Sequence, residues 1–145
     1  LEYICNIALN EEFISGLVLT NTTIRREMLY KKPLSNPWKI DELGGLSGPP
    51  LKNLTNDIIR KAYEICQGKI QIIGVGGISN GKDAFEKISM GANALQLYTS
   101  LVYKGPTVVN EILDDLSKKI QPLSTKHEIS THFLILLEDL KYLKE

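Results

Sequence analysis

Three short apolar runs, separated by segments with helical spacing, are the feature that most constrains the fold of this chain. The runs lie in GLVLTNTT, KIQIIGVGG and ANALQLYTS and are centred near residues 17, 72 and 95. Apolar runs that are closed by glycine or hydroxyl residues are typical of buried parallel strands. Because helices are predicted between them, the pattern indicates a parallel sheet with right-handed crossovers, in either a doubly wound sheet or a (β/α)8 barrel.

The segments around these runs predict four helices. The first covers residues 1–12, the second begins after an N-cap at Thr55 and ends before Gly68, the third is capped by Asn80, and Pro106 opens the fourth. Apolar residues at helical spacing should face the core. In the last three helices they are Ile58, Ile59, Ala62, Ile65, Cys66, Ala84, Ile88, Val108, Val109, Ile112, Leu113, Leu116 and Ile120.

Chain length limits how much of a barrel these elements can build. The chain has 145 residues, whereas a complete (β/α)8 barrel needs about 250. Three βα units therefore supply less than half of a barrel, unless they close a smaller open sheet. The sequence begins without Met and inside a predicted helix, so we expect the chain to be cut at its front.

Composition excludes several functional classes. Lys plus Arg equals Asp plus Glu at 17 each, so the basic surface required for general nucleic-acid binding is not predicted. No segment approaches the roughly 20 apolar residues of a membrane-spanning helix, and no targeting segment is predicted. Cys5 and Cys66 are predicted to be reduced, buried thiols. His127 and His132 are five residues apart, which is not the spacing of helical metal ligands, and no metal site is predicted.

The glycine turn in IIGVGGISNG was tested against the pattern of dinucleotide-binding turns. That pattern requires G-x-G-x-x-G and an acidic residue about 20 positions further on. Here Ser79 occupies the third glycine position, and the later segment LQLYTS carries no acidic residue. A dinucleotide site is therefore not predicted. Two interpretations remain: a tight turn between strand and helix, or a turn whose backbone N–H groups approach a phosphate.

Three more polar clusters lie near the ends of predicted elements. GGLSGPPL combines three glycines with the hydroxyl of Ser47 and is either a flexible loop or a second set of bare backbone donors. TNTT places Asn21 after the first strand, where it either forms a turn or binds an amide-bearing ring. The third strand ends in the hydroxyl residues Tyr98, Thr99 and Ser100. In a barrel, such segments meet at the carboxyl ends of the strands, where substrates and phosphates bind.

Over roughly residues 1–120 the chain resembles the C-terminal part of class 2 dihydroorotate dehydrogenase. The resemblance rests on GLVLTNTT, GGLSGPPL and IIGVGGISNGKDAFEKISMGANALQLYTSLVYKGP, in that order. GGLSG followed by P-L is similar to the quinone-linked class rather than the soluble class, and SNGKDAFEKI is similar to the eukaryotic, mitochondrial form. The resemblance implies an α/β fold, namely the C-terminal three βα units of a (β/α)8 TIM barrel that is incomplete in this chain.

The resemblance also implies an activity for the full-length protein. In that family (S)-dihydroorotate is oxidised to orotate in the biosynthesis of UMP. FMN takes the hydride, and a ubiquinone-type acceptor reoxidises the flavin at a membrane. The implied location is the mitochondrial inner membrane, and the implied partners are dihydroorotate, orotate and ubiquinone.

Individual residues of this chain match motif positions of the family. Thr20 resembles a flavin contact, while Asn21 and Thr22 resemble the pair that hydrogen-bonds the pyrimidine. Tyr98 and Pro106 would lie near the quinone end of the pocket. The groups that resemble those holding the FMN phosphate and ribityl chain are Ser47, Gly48, Gly76, Gly77, Tyr98 and Thr99.

Several parts of the family pattern have no counterpart in these 145 residues. They are the serine that takes the substrate proton, the lysine beside the flavin, further asparagines, and the N-terminal helices through which the family associates with membranes. Since the general base is missing, no catalytic residue is assigned and this chain alone is predicted to be inactive. The alternative is a non-catalytic fragment that acts as a phosphate- or flavin-binding module or as a protein-interaction module.

Two segments depart from the family. The loop at 24–44 is longer than usual, and its Trp38 is predicted either to fold over a pocket or to lie at the surface. Residues 121–145 do not follow the family and form a divergent tail. An amphipathic helix is predicted there, with an apolar face made of Phe133, Leu136, Leu137, Leu140 and Leu143.

Overall fold

The computed structural model describes residues 1–26, residue 29 and residues 43–124, with side chains described up to residue 120. Helices and strands alternate along this part of the chain. In order they are α1 (Glu2–Asn10), β1 (Gly16–Leu19), a short 3₁₀ helix (Pro49–Leu51), α2 (Lys52–Cys66), β2 (Gln71–Val75), α3 (Gly81–Ser89), β3 (Ala94–Gln96), α4 (Thr99–Lys104) and α5 (Thr107–Ser124).

The three strands form one parallel sheet in the order β1-β2-β3. Gly16 of β1 is in register with Gln71 of β2, and Ile73 of β2 is in register with Ala94 of β3. The α/β prediction with parallel strands is therefore confirmed. In a parallel sheet all strands end at the same edge, so the polar segments after β1, β2 and β3 are brought together.

Two hydrophobic clusters hold the helices to the sheet. The first cluster packs α1 and α2 against the strands and contains Cys5, Ala8, Ile59, Ala62, Cys66, Ile70, Ile72 and Ala92. The second cluster packs α3 against α5 and contains Ile78, Ala84, Val108, Ile112, Leu116 and Ile120. Both cysteines lie in the first cluster as free, buried thiols, as the sequence predicts.

The start of α2 differs from the prediction. The helix begins at Lys52, directly after the 3₁₀ helix, and Leu51 occupies the cap position. Thr55 is not an N-cap but lies inside the helix with 1% of its surface exposed. Its hydroxyl shares one proton between the carbonyl oxygens of Lys52, at 3.0 Å, and Gly76, at 3.2 Å. The cap prediction failed because the PPL segment already forms a helical turn, which continues into α2 without a capping side chain.

The predicted cap of α3 is confirmed. The side chain of Asn80 accepts a hydrogen bond from the backbone N–H of Asp83 at 3.0 Å. The carboxylate of Asp83 accepts in turn from the N–H of Ser79 at 3.1 Å. Gly91, with a φ of 107°, follows the end of the helix as predicted.

The predictions for the last helices need two corrections. A six-residue helix, α4, follows β3 where the sequence analysis places only a strand end, so Thr99 and Ser100 belong to a helix. Within α5 the predicted apolar face is buried at Val108, Ile112, Leu116 and Ile120, but Val109 is 40% exposed.

Some predictions fall on residues outside the described part of the chain. They concern Trp38 and most of the 24–44 loop, the two histidines, and the amphipathic helix of the tail.

α5 continues to Ser124, beyond the predicted boundary at residue 120. Among the described residues, no helix combines the length and the apolar character needed to cross a membrane.

Candidate functional site

A cavity of about 270 Å³ lies at the carboxyl ends of the three strands. Residues that follow β1, β2 and β3 surround it, together with the loop before α2. The complete lining is Thr20, Asn21, Thr22, Ser47, Gly48, Leu51, Val75, Gly76, Gly77, Ile78, Leu97, Tyr98 and Thr99. This is the edge of a parallel α/β sheet at which ligands bind.

The segment after β1 makes two local hydrogen bonds at the cavity wall. The side-chain oxygen of Asn21 accepts from the N–H of Thr22 at 2.7 Å, and the hydroxyl of Thr20 donates to the carbonyl of Asn21 at 3.3 Å. This local order is compatible with the turn interpretation of TNTT, which stays a prediction. It does not exclude binding, because the side-chain NH₂ of Asn21 has no acceptor among the residues that the structure describes and remains able to donate to a ligand.

The GGLSG loop is tied to both of its neighbours and is not a free loop. The backbone of Leu46 exchanges two hydrogen bonds with Thr23, at 2.7 and 3.1 Å. On the other side, the hydroxyl of Thr99 donates to the hydroxyl of Ser47 at 3.0 Å. Arg26 adds a third link by donating to the carbonyl of Gly44 at 2.6 Å. Hydrogen bonds thus connect the segments after β1 and β3 through this loop.

The Gly76-Gly77 turn accepts only glycine. Gly76 has a φ of 100° and Gly77 a φ of 74°, in the region that side chains disfavour. A Cβ on Gly77 would lie 2.5 Å from the Cα of Lys52, so the start of α2 packs directly on the turn. Gly48, with a φ of 80°, approaches Thr99 in the same way, because its Cβ would lie 3.1 Å from the Thr99 methyl carbon.

The chemistry of the lining fits an anionic ligand that also has an apolar part. No lining residue carries a carboxylate, and the wall combines hydroxyl groups with bare glycine backbone. The N–H of Gly77 has no acceptor among the described residues. Phosphate groups bind to such sets of backbone N–H and hydroxyl donors. Four apolar side chains, Leu51, Val75, Ile78 and Leu97, complete the wall.

The structure brings together all of the sequence-predicted site residues except one. Thr20, Asn21, Thr22, Ser47, Gly48, Gly76, Gly77, Tyr98 and Thr99 all line the cavity. Pro106 does not line it and lies exposed directly before α5. The roles assigned to these residues stay predictions, since lining a common cavity does not identify its ligand.

The sequence analysis missed the apolar part of the wall. Val75 and Ile78 flank the glycine turn, and Leu97 follows β3, so their position beside predicted site residues was the available signal. Leu51 had no such signal, because its place depends on the 3₁₀ helix that carries it over the cavity. Within the described part of the chain, no group of three or more His, Cys, Asp or Glu side chains could hold a metal ion.

Comparison with known proteins gives a consistent match. The family profile for dihydroorotate dehydrogenase matches residues 2–120. The chain is 47% identical over 114 residues to "Dihydroorotate dehydrogenase (quinone)" of Trichodesmium erythraeum (strain IMS101), covering 77% of this chain and 30% of the relative. It is 48% identical over 103 residues to "Dihydroorotate dehydrogenase (quinone), mitochondrial" of Mus musculus, covering 71% of this chain and 25% of that protein.

Solved structures agree with these relatives. A crystal structure of DHODH in complex with ferulenol from Eimeria tenella superposes with a TM-score of 0.74 at 35% identity, covering 84% of this chain and 31% of the other. The ligand-free form from the same organism gives 0.73 at 36% identity. The predicted partial barrel is thus confirmed, and the chain spans about 30% of the length of the curated relatives that it matches.

Proposed function

This chain belongs to the dihydroorotate dehydrogenase family, and from this premise we propose that it forms the phosphate side of the flavin site and part of the pyrimidine site of a quinone-dependent member. The whole protein would oxidise (S)-dihydroorotate to orotate with FMN and a ubiquinone-type acceptor, in the biosynthesis of UMP. Residues 1–120 would be the flavin-binding barrel part and residues 121–145 a divergent tail with an amphipathic helix, whose first four residues still belong to α5.

The observation that carries this proposal is the convergence of four segments on one cavity. Hydroxyl, amide and glycine backbone groups from the ends of β1, β2 and β3 and from GGLSG face the same 270 Å³ space. Three of these segments contribute glycine or hydroxyl donors suited to a phosphate, whereas TNTT contributes an amide suited to a ring edge that itself carries N–H and C=O groups.

Each group of residues has a distinct task in the proposed reaction. Gly48, Gly77 and Thr99 would hold the FMN phosphate and ribityl chain through backbone N–H donors, and Ser47 through its hydroxyl, which the Thr99 hydroxyl orients. Asn21 and its neighbour Thr22 would orient the pyrimidine ring, and Thr20 would contact the flavin. The redox chemistry would come from the bound flavin. Proton abstraction from the substrate is assigned to none of these residues, because none of them is a general base.

Binding of FMN against riboflavin tests the proposed phosphate site. The two flavins differ only by the phosphate, so the 145-residue chain should bind FMN at least about tenfold more tightly. Flavin fluorescence titration gives both dissociation constants. Equal affinity for the two flavins would remove the phosphate site from the proposal.

A matched pair of variants locates the phosphate contacts. Thr99→Val removes the hydroxyl that donates to Ser47, and we expect it to weaken FMN binding about fivefold and riboflavin binding much less. Thr99→Ser keeps the hydroxyl and should bind FMN like the parent chain. If both variants bind FMN equally well, the Thr99 hydroxyl is not part of the site.

Measurement of turnover tests whether catalysis requires parts of the protein outside this chain. The 145-residue chain, supplied with FMN, dihydroorotate and a soluble quinone, should form no orotate although it binds flavin. A longer chain that includes the family's earlier strands should form it. Orotate absorbance measures both, and turnover by the short chain comparable with the longer one would contradict the proposal.

The mitochondrial inner membrane is the proposed location, because SNGKDAFEKI is similar to the mitochondrial form of the family. Overall identity does not distinguish the groups, since the mouse mitochondrial relative is 48% identical and a cyanobacterial relative 47%. Fractionation of the source cells, with an antibody raised against the 145-residue chain, tests it. Detection in the inner-membrane fraction is expected, and detection in the cytosol alone would contradict it.

A further inference from the structure

Lys87 on α3 is a fully buried lysine that takes no direct part in the cavity. Its exposed surface is 0%, and its ammonium group donates to the hydroxyl of Thr55 at 2.7 Å and to the side-chain oxygen of Asn56 at 2.8 Å. Burial of a lysine is costly unless its charge is hydrogen-bonded. Such a group needs a structural or functional reason.

Gly74 of β2 leaves space for the Lys87 side chain. A Cβ on Gly74 of β2 would lie 2.8 and 2.9 Å from two carbons of the Lys87 stem and 3.0 Å from Ile59. The strand therefore has no side chain at the point where the stem of Lys87 passes between α3 and α2. In effect Gly74 allows the ammonium group to reach Thr55.

A two-step hydrogen-bond chain leads from Lys87 to the glycine turn. The ammonium donates to the Thr55 hydroxyl, and that hydroxyl shares its one proton between the carbonyl oxygens of Lys52, at 3.0 Å, and Gly76, at 3.2 Å. The peptide bond between Gly76 and Gly77 is trans, so its C=O and N–H point in opposite directions. Because the carbonyl points toward Thr55, the N–H of Gly77 points away from Thr55. It has no acceptor among the described residues, and Gly77 lines the cavity.

The cavity otherwise lacks a cation of its own. None of the residues lining it carries a formal charge. The carboxylates nearest to Lys87 in sequence, Asp83 and Glu86, are each paired with Lys52, at 3.0 and 3.1 Å. A positive charge behind the turn acts through a medium of low dielectric constant, where its attraction for an anion is greater than in water.

We propose that Lys87 is a positioning residue of the Gly76-Gly77 turn, which through Thr55 holds the Gly77 N–H toward the cavity and favours a ligand that carries a phosphate over the same ligand without one. This rests on the proposed flavin site. It adds that the selectivity for the phosphate depends on a side chain that never touches the ligand.

The test measures the ratio of the riboflavin and FMN dissociation constants for the 145-residue chain and three variants. Lys87→Met keeps the length of the stem and removes the charge, and Thr55→Val removes the bridging hydroxyl while keeping the shape. Both should reduce the preference for FMN about tenfold and leave riboflavin binding nearly unchanged. The matched control Thr55→Ser keeps the hydroxyl and should keep the preference for FMN.

The outcomes separate this inference from the proposed function. If the parent chain shows no preference for FMN, the phosphate site itself is wrong. If the parent prefers FMN and both Lys87→Met and Thr55→Val keep the full preference, the site stands and the role of Lys87 is overturned. A merely structural role of Lys87 would weaken the binding of FMN and riboflavin equally, and that result would also overturn the proposed role. Should Lys87→Met not fold, the comparison of Thr55→Val with Thr55→Ser decides alone.

Discussion

At the scale of single residues, the site depends on glycines whose neighbours leave no room for a side chain. Gly77 combines a φ of 74° with close packing against the backbone of Lys52. Gly68 has the same φ of 74°, but a Cβ there would meet nothing within 4 Å. The pair therefore separates the two reasons for which a position requires glycine, namely backbone conformation and lack of space.

Alanine substitution at these two glycines should have unequal effects. Gly68→Ala should lower the free energy of unfolding by about 1 kcal/mol, the cost of a left-handed conformation for a residue with a Cβ. Gly77→Ala has this cost and must also displace Lys52, so we expect a loss larger by at least about 1 kcal/mol and weakened FMN binding. Urea unfolding measures the free energies, and equal losses would contradict the packing argument.

Lys87 should make the stability of the chain depend on pH. Burial lowers the pKa of Lys87 from 10.5 to about 8, partly opposed by attraction to Asp83 and Glu86 and reinforced by repulsion from Lys52. Between pH 8 and 10.5 the unfolded chain holds a proton on this lysine that the folded chain has lost. The free energy of unfolding should therefore rise with pH across this window, by roughly 3 kcal/mol from this residue.

The variant Lys87→Met isolates that contribution. It should lack the rise between pH 8 and 10.5, so the difference between its stability and that of the parent should change with pH. Burial raises the pKa of Cys66 to about 11, which lowers stability with rising pH, but this effect is common to both chains and cancels in the difference. Urea unfolding at several pH values provides the test, and parallel curves for the two chains would contradict the assignment.

At the scale of elements, α5 is held by one face. Val108, Ile112, Leu116 and Ile120 are each at most 4% exposed and pack against α3, whereas Val109 is 40% exposed on the same helix. Through α3 this packing supports the turn that precedes it. The carbonyl of Ser79, in that turn, also accepts from Lys104 of α4 at 2.8 Å. The helices behind the cavity therefore fix the loops that line it.

Alanine substitutions on the two faces of α5 should therefore lower the free energy of unfolding by different amounts. Leu116→Ala leaves a cavity in the second hydrophobic cluster, and we expect it to lower the free energy of unfolding by about 2 to 5 kcal/mol. The matched control Val109→Ala removes methyl groups from the exposed face and should change it by less than about 1 kcal/mol. Similar losses for the two variants, measured by denaturant unfolding, would show that α5 is not packed as described.

At the scale of the whole molecule, the sheet has two open edges within the described residues. β1 and β3 each pair only with β2, and the side chain of Val18 on β1 is 57% exposed. Unpaired strand edges favour association with other chains. In the family fold the remaining strands of the barrel would occupy these edges.

We therefore expect the 145-residue chain to self-associate when it is prepared alone. Light scattering coupled to size exclusion should show a mass that rises with concentration. A lysine on an edge strand opposes pairing, so Val18→Lys should reduce the association, whereas Val102→Lys, at a 65% exposed position on α4, should not. A monodisperse monomer that melts cooperatively would contradict this expectation.

Local signals predicted much of the fold and of the site. The apolar runs and helical spacings predicted β1, β2 and β3 and most of the helices, because burial requires those periods. They did not predict α4, whose six residues are too few to show a period, or the start of α2, where the 3₁₀ helix replaces a cap. Motif positions predicted nearly all of the polar wall of the cavity, but not Leu51, whose place depends on how the 3₁₀ helix packs.

The sequence by itself determined that this chain forms parallel βα units and that its glycine turn lacks the residues of the dinucleotide-binding pattern, because periodicity and motif residues are local properties. Only the tertiary structure decided that four separate segments share one cavity and that Thr55 is a buried link and not a cap. It alone showed Lys87 behind the Gly76-Gly77 turn with Gly74 making space for it. These facts depend on contacts between residues far apart in the chain, which no local pattern contains.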